Sequence, residues 1–104
     1  MTRHISEVVR LLPWGGPEGK PCYLLGDGNG YVSRVADNVE SVQLGMATDL
    51  LDHVDDLLRD RQATPEQLRY VVARMAESLR DVHRIARSRG ARLAHVPGGA
   101  EGPA

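Results

Sequence analysis

The stretch from Thr64 to Gly90, TPEQLRYVVARMAESLRDVHRIARSRG, carries the pattern that decides the fold. Thr64 is a favourable helix N-cap, Pro65 suits the first helical position, and Gln67 follows the cap by three residues, as a capping box requires. Apolar residues then recur at alternating intervals of four and three, which is typical of a helix with a coiled-coil seam. They are Leu68, Val72, Met75, Leu79, Val82 and Ala86. Because Gly90 is a common C-cap residue, the pattern predicts a helix over residues 65–89.

A similar stripe precedes this helix and predicts another helix over residues 35–61. Its members, three or four residues apart, are Val35, Val39, Val42, Met46, Leu50, Val54 and Leu57. The short connection makes an antiparallel helical hairpin the expected arrangement. With the turn centred on Gln62 and Ala63, the two stripes meet in one register over six layers, in which Leu50 faces Met75.

Further apolar residues lie beside the two stripes and need a cover. They are Leu44, Leu51 and Leu58 in the first helix, and Val71 and Ile85 in the second. A homodimer that forms a four-helix bundle would bury them along the full length of the hairpin, so these five residues are the predicted dimer interface. The alternative is a monomer in which the N-terminal third folds over the hairpin.

The N-terminal third combines an ambiguous segment, a loop and a glycine-rich stretch. Residues 4–12 fit a short amphipathic helix and a strand, whereas PWGGPEGKP at residues 13–21 predicts a loop. In YLLGDGNGYV, residues 23–32, the Asp-Gly and Asn-Gly pairs between apolar runs predict a β-hairpin that joins residues 22–25 to residues 31–34. The stretch lacks the spacing of a calcium loop and of a nucleotide loop, although a ligand at Gly26 to Gly30 stays an open alternative.

The whole chain is thus expected to be α+β and mostly α: a short N-terminal β-hairpin followed by a long antiparallel helical hairpin. A single small domain is expected over residues 1–93, of which residues 1–34 form the N-terminal segment. The remaining residues, 94–104, are expected to form a disordered tail.

Composition limits the classes of function. The 104 residues carry a formal net charge of −1 and one cysteine, with no apolar stretch of the length that spans a membrane. A cytoplasmic protein without membrane contact is therefore expected, and the use of arginine for twelve of thirteen basic residues suggests a GC-rich bacterial genome.

Asp49, His53 and Asp56 share a helical face, but a solvated face is expected rather than a metal site, and no cofactor is expected.

Charge divides between the two helices. Residues 37–61 hold seven acidic and two basic side chains, a balance of −5, whereas residues 65–92 hold seven basic and three acidic ones, a balance of +4. Opposite charges beside the seams would select partner and orientation. The alternative is a basic surface for nucleic acid. Its candidate contacts are Arg84, Arg87, Arg89 and Arg92.

No catalytic motif emerges, because Cys22 has no nearby histidine and no serine lies in a nucleophile elbow. The aromatic side chains Trp14, Tyr23 and Tyr31 are the candidate partner contacts. The sequence therefore favours a non-enzymatic protein–protein interaction or regulatory module, a homodimeric helical-hairpin adaptor in a bacterial cytoplasm. Its expected partners are a second copy and an unidentified protein; the alternative is a nucleic-acid-associated regulator that uses the arginine-rich second helix.

Overall fold

A computed structural model of the chain describes residues 8–26 and 28–94. Two antiparallel strands, β1 (Val8–Gly15) and β2 (Pro21–Gly26), precede two long helices, α1 (Tyr31–Arg59) and α2 (Pro65–Ala94). The predicted α+β, mostly α, class is confirmed. The predicted disordered tail lies outside the described residues apart from Ala94, the last residue of α2. Neither helix has an apolar stretch that could cross a membrane.

The turn between the helices follows the predicted chemistry. The Thr64 N–H donates to Gln67 Oε1 at 2.8 Å, and the Gln67 N–H donates to Thr64 Oγ1 at 3.1 Å, which is a reciprocal capping box. At the other side of the turn, Asp60 is the C-cap of α1, and its carboxylate accepts from the Gln62 N–H at 2.9 Å. Both ends of the connection are thus fixed by short-range hydrogen bonds.

Both helices extend beyond the predicted bounds. Because α1 begins at Tyr31, its first turn comprises residues that were expected in a strand. Helix α2 continues through Gly90 to Ala94, so the predicted C-cap at Gly90 is wrong. The last turns of α2 are held by tertiary contacts: the Ser88 hydroxyl donates to the Leu11 carbonyl at 2.9 Å. Such contacts outweigh the modest cost of a glycine inside a helix.

The sheet pairs different segments from those the sequence predicts. Since residues 31–34 are helical, they cannot pair with residues 22–25; β2 pairs instead with β1, with Val9 opposite Leu25. The predicted loop at residues 13–21 contains the end of β1 and a short 3₁₀ turn over Pro17–Gly19. Within residues 4–12, the strand begins at Val8, and residues 1–7 lie outside the described residues.

The glycine-rich stretch therefore joins a strand to a helix. Gly28 has a φ of +89°, a conformation that glycine adopts without steric cost, and Gly30 is the N-cap of α1. Asp27 lies outside the described residues. The hairpin prediction failed because the apolar residues after the glycines belong to the helical stripe of α1 and not to a strand.

Strand β1 packs on the open end of the helical hairpin, where the start of α1 meets the end of α2. The side chains of Leu11, Leu12, Ala36 and Ile85 are buried there. The described part of the N-terminal third therefore covers this end of the hairpin and leaves the middle uncovered.

Candidate interaction surface

A buried polar cluster fastens β1 to both helices. Arg10 Nη2 lies 2.7 Å from Asp37 Oδ1 and 3.2 Å from Glu40 Oε2, and Arg10 Nη1 donates to Ser33 Oγ at 2.8 Å. From α2, Arg89 Nη2 lies 3.4 Å from Glu40 Oε1. Because Glu40 is paired with an arginine from β1 and another from α2, it ties three elements together. The helical pattern could not predict this role, because a charged residue is expected on the solvated side of a helix.

The same junction affects Arg92 near the end of α2. Burial, followed by the charge of the nearby Arg10 guanidinium, lowers the pKa of Arg92, while the Glu40 carboxylate acts in the opposite direction. Arg92 Nη1 donates to the Ser88 hydroxyl. Arg89 and Arg92, two of the four predicted nucleic-acid contacts, therefore have partners within the chain, although the Arg89 side chain stays exposed.

The most deeply buried apolar residues of α2 are not the ones predicted for the seam. Val71 and Ile85 are 5% and 3% exposed, so these two members of the predicted dimer interface are buried within one chain. Leu68, Val72 and Leu79, which were placed in the seam, are exposed instead, whereas Met75 and Val82 from the same prediction are half-buried. The inward side of α2 is therefore shifted toward Val71 and Ile85 relative to the predicted stripe.

The exposed position of Val72 and Leu79 leaves an apolar surface on the hairpin. Leu44 and Leu51 from α1 and Leu79 from α2 line a groove of about 380 Å³ whose lining contains only two polar side chains, Thr48 and Ser78. Seven-residue spacing continues this surface to other exposed side chains, which lie on the same sides of their helices. We define the apolar face as Leu44, Leu51 and Leu58 of α1 with Val72 and Leu79 of α2.

The exposure of the apolar face is high for aliphatic side chains. Leu51 is 62% exposed, Leu58 is 77% exposed and Leu79 is 65% exposed. Contiguous apolar surface of this kind on a small domain marks an interaction site, whereas single exposed leucines need no explanation. Three of the five predicted interface residues, Leu44, Leu51 and Leu58, thus lie together on this face, and Val72 and Leu79 join them.

The three aromatic candidates occupy the other end of the molecule. Tyr31, the first residue of α1, is 73% exposed, and Tyr23 in β2 is 54% exposed, whereas Trp14 in β1 is half-buried. Tyr31 lines a shallow depression of about 200 Å³ together with Leu24 and Leu25. These residues are accessible at the sheet end, and their contact with a protein partner stays a prediction.

Comparisons with protein-family models, with curated proteins and with solved structures find no match to this chain.

Proposed function

We propose that this protein is a non-enzymatic interaction module that pairs with a second copy of itself through the apolar face, forming a four-helix bundle. The observation that carries the proposal is the groove shared by Leu44, Leu51 and Leu79, with exposed leucine on both helices. Helical hairpins commonly bury such a face against another helix pair. Two packed helices cover only the sides that face each other, and apolar residues beside that contact stay exposed.

The size of the face fits this occupant. From Leu44 to Leu58 the helix rises about 21 Å, and two adjacent helices are about 20 Å wide, so the face covers on the order of 400 Å². A standard interface buries about 800 Å² on each partner, and a little over half of that is apolar. The face therefore supplies the apolar centre of an interface of ordinary size, and the polar residues around it supply the rim.

Charge complementarity supports a second copy in one orientation. Beside the apolar face, residues 44–59 of α1 hold four acidic side chains and one basic one, a net charge of −3, whereas residues 65–80 of α2 hold three basic and two acidic ones, a net charge of +1. In a two-fold dimer in which each α1 lies over the partner's α2, acidic helices meet basic ones. The opposite arrangement would place like charges together and is disfavoured.

The experiment is a mass measurement by light scattering and sedimentation at micromolar concentration. The unaltered chain is expected to have about twice the 11.4 kDa of one chain. The double variant Leu51→Asp/Leu79→Asp is expected to be monomeric, because it places a carboxylate on each side of the groove. Circular dichroism checks that the variant keeps its helices.

Val42→Asp is the matched control. Val42 is 60% exposed, close to the value for Leu51, but it precedes Leu44 by two residues and so lies about 200° around α1 from the apolar face. This variant is expected to remain dimeric. A single-chain mass for the unaltered protein, or equal dissociation of the control, would contradict the proposal.

A further inference from the structure

A concave site of about 230 Å³ lies between the turn of the β-hairpin and the outer side of α2. One wall is backbone and small residues of the hairpin, including Gly15 and Gly19, and the other is a series of basic side chains from the helix. The charged or titratable side chains that line it are Lys20, Arg80, His83, Arg84 and Arg87, with no carboxylate among the lining residues. We call this site the basic pocket.

Most of the cations in the basic pocket have no ion pair, unlike several arginines elsewhere on the surface. Arg80, Arg84 and Arg87 follow the i, i+4, i+7 spacing of one helical side, and the hairpin turn brings Lys20 to them. Arg84 donates to the Pro13 carbonyl at 3.1 Å and lies 3.8 Å from Asp81. Within the described residues, the side chains of Lys20, Arg80 and Arg87 make no hydrogen bond or ion pair with the chain itself.

Four cations around one depression repel each other, and one long ion pair offsets only a small part of that repulsion. Four arginines elsewhere in the described residues are paired: Arg10, Arg59, Arg74 and Arg89 each lie within 3.4 Å of a carboxylate oxygen. In the basic pocket, cations without an ion pair in the described residues lie around one depression, where their charge is available to a group from outside the chain.

We infer that the basic pocket binds a small phosphate-bearing molecule. The planar guanidinium groups of arginine match phosphate oxygens in a bidentate geometry, and a lysine ammonium supplies a further donor. The wall at Gly15 and Gly19 has no side chain beyond Cα, so a ligand can approach the backbone closely. The volume is below the range of about 300–1,000 Å³ typical of whole drug-sized ligands, which suits a phosphate or diphosphate group with a small organic part.

The shape favours a small ligand over a nucleic-acid duplex. A duplex is bound by basic side chains that follow its backbone over an extended surface. The predicted surface from Arg84 to Arg92 does not offer one, because Arg89 pairs with Glu40 and Arg92 donates to Ser88, while Arg84 and Arg87 turn toward the hairpin. The cations that remain converge on one depression.

The test titrates inorganic pyrophosphate into the full chain by isothermal calorimetry, at an ionic strength held constant with chloride. Saturable binding with one pyrophosphate per chain is expected. The variant Arg80→Gln/Arg87→Gln is expected to bind at least about tenfold more weakly, because two charge-assisted donors are lost. Both side chains are exposed and make no hydrogen bond or ion pair with the described residues, so the variant is expected to fold normally.

Arg61→Gln/Arg69→Gln is the matched control. It removes the same charge from two exposed arginines that lie outside the basic pocket, and it is expected to bind pyrophosphate as the unaltered chain does. Failure of pyrophosphate to saturate at millimolar concentration would overturn the inference. So would equal weakening in both variants, which indicates general attraction by net charge, or tighter binding of a short DNA duplex that both variants weaken alike.

Discussion

Arg10 of β1 and Glu40 of α1 form an ion pair in which both side chains are almost fully enclosed: Arg10 is 5% exposed and Glu40 is 1% exposed. Two charges in this environment lose their hydration, and their attraction offsets that loss only when the geometry is good and the remaining donors and acceptors are satisfied. Here Asp37, Ser33 and Arg89 supply most of the further partners. The pair thus makes attachment of the sheet to the helices dependent on one specific alignment.

Removing the Glu40 charge tests this dependence. Glu40→Gln keeps the shape of the side chain but leaves Arg10 with only the exposed Asp37 as a counter-charge, so the free energy of unfolding is expected to fall by about 2–4 kcal/mol. Urea denaturation at one fixed protein concentration measures the change, because the proposed dimer would make stability depend on concentration.

Two further variants test whether the stability loss in Glu40→Gln comes from the unpaired charge of Arg10. Asp37→Asn removes a charge whose side chain is 64% exposed, and a smaller loss of about 1 kcal/mol or less is expected. Arg10→Met/Glu40→Leu replaces both buried charges with apolar groups, and it is expected to be more stable than Glu40→Gln alone. If the double variant is the least stable of the three, the cost comes from lost packing and not from an unpaired charge.

The capping box gives a second prediction. Thr64→Ala removes the oxygen that accepts from the Gln67 N–H, and it is expected to lower the free energy of unfolding by about 1 kcal/mol. Gln67→Ala removes the reciprocal bond to the Thr64 N–H. Urea denaturation of the two single variants is expected to show a loss for each, whereas an unchanged stability for either variant would mean that its hydrogen bond is not formed in solution.

The helices could be predicted from the sequence because their signals are local. The Thr64 and Gln67 cap and the periodic apolar residues act within a few positions of one another, and the structure contains both helices and the predicted cap. Their outer ends could not be predicted, since Gly90 would end an isolated helix. In the structure α2 continues to Ala94, and its last turns contact β1 through the hydrogen bond of Ser88 with Leu11, two residues far apart in the sequence.

The sheet and the junction could not be predicted because they depend on such distant contacts. The strongest hairpin signal lay at Gly26 to Gly30, but the actual turn at Pro17–Gly19 uses positive φ angles at Glu18 and Gly19. Glutamate is not a typical residue for that conformation, so the residues at positions 17–19 do not indicate this turn. Likewise, no local pattern shows that Arg10 and Glu40 are buried together.

Glycine substitutions provide a third prediction, on a matched pair. A Cβ added to Gly90 or to Gly28 meets no atom within 4 Å, so the two sites differ in backbone conformation and not in space. Gly90→Ala is expected to stabilise the protein by about 0.5–1 kcal/mol, since Gly90 lies inside α2. Gly28→Ala is expected to destabilise it by about 1 kcal/mol, because Gly28 has a φ of +89°. Thermal unfolding measures both, and a destabilising Gly90→Ala would mean that α2 ends at Gly90 in solution.

The neighbouring valines of α2 give the fourth prediction, which tests whether Val71 or Val72 faces α1. Val71 is 5% exposed and Val72 is 62% exposed, although the sequence placed Val72 in the seam and Val71 in the dimer interface. Val71→Ala is expected to cost about 1.5–3 kcal/mol of unfolding free energy, because two buried methyl groups are lost. Val72→Ala is expected to leave the stability of the dissociated chain within about 0.5 kcal/mol and to weaken association instead. Denaturation at low protein concentration, beside sedimentation at high concentration, separates the two effects; the reverse result would place Val72 in the seam and show that α2 is rotated relative to the structure.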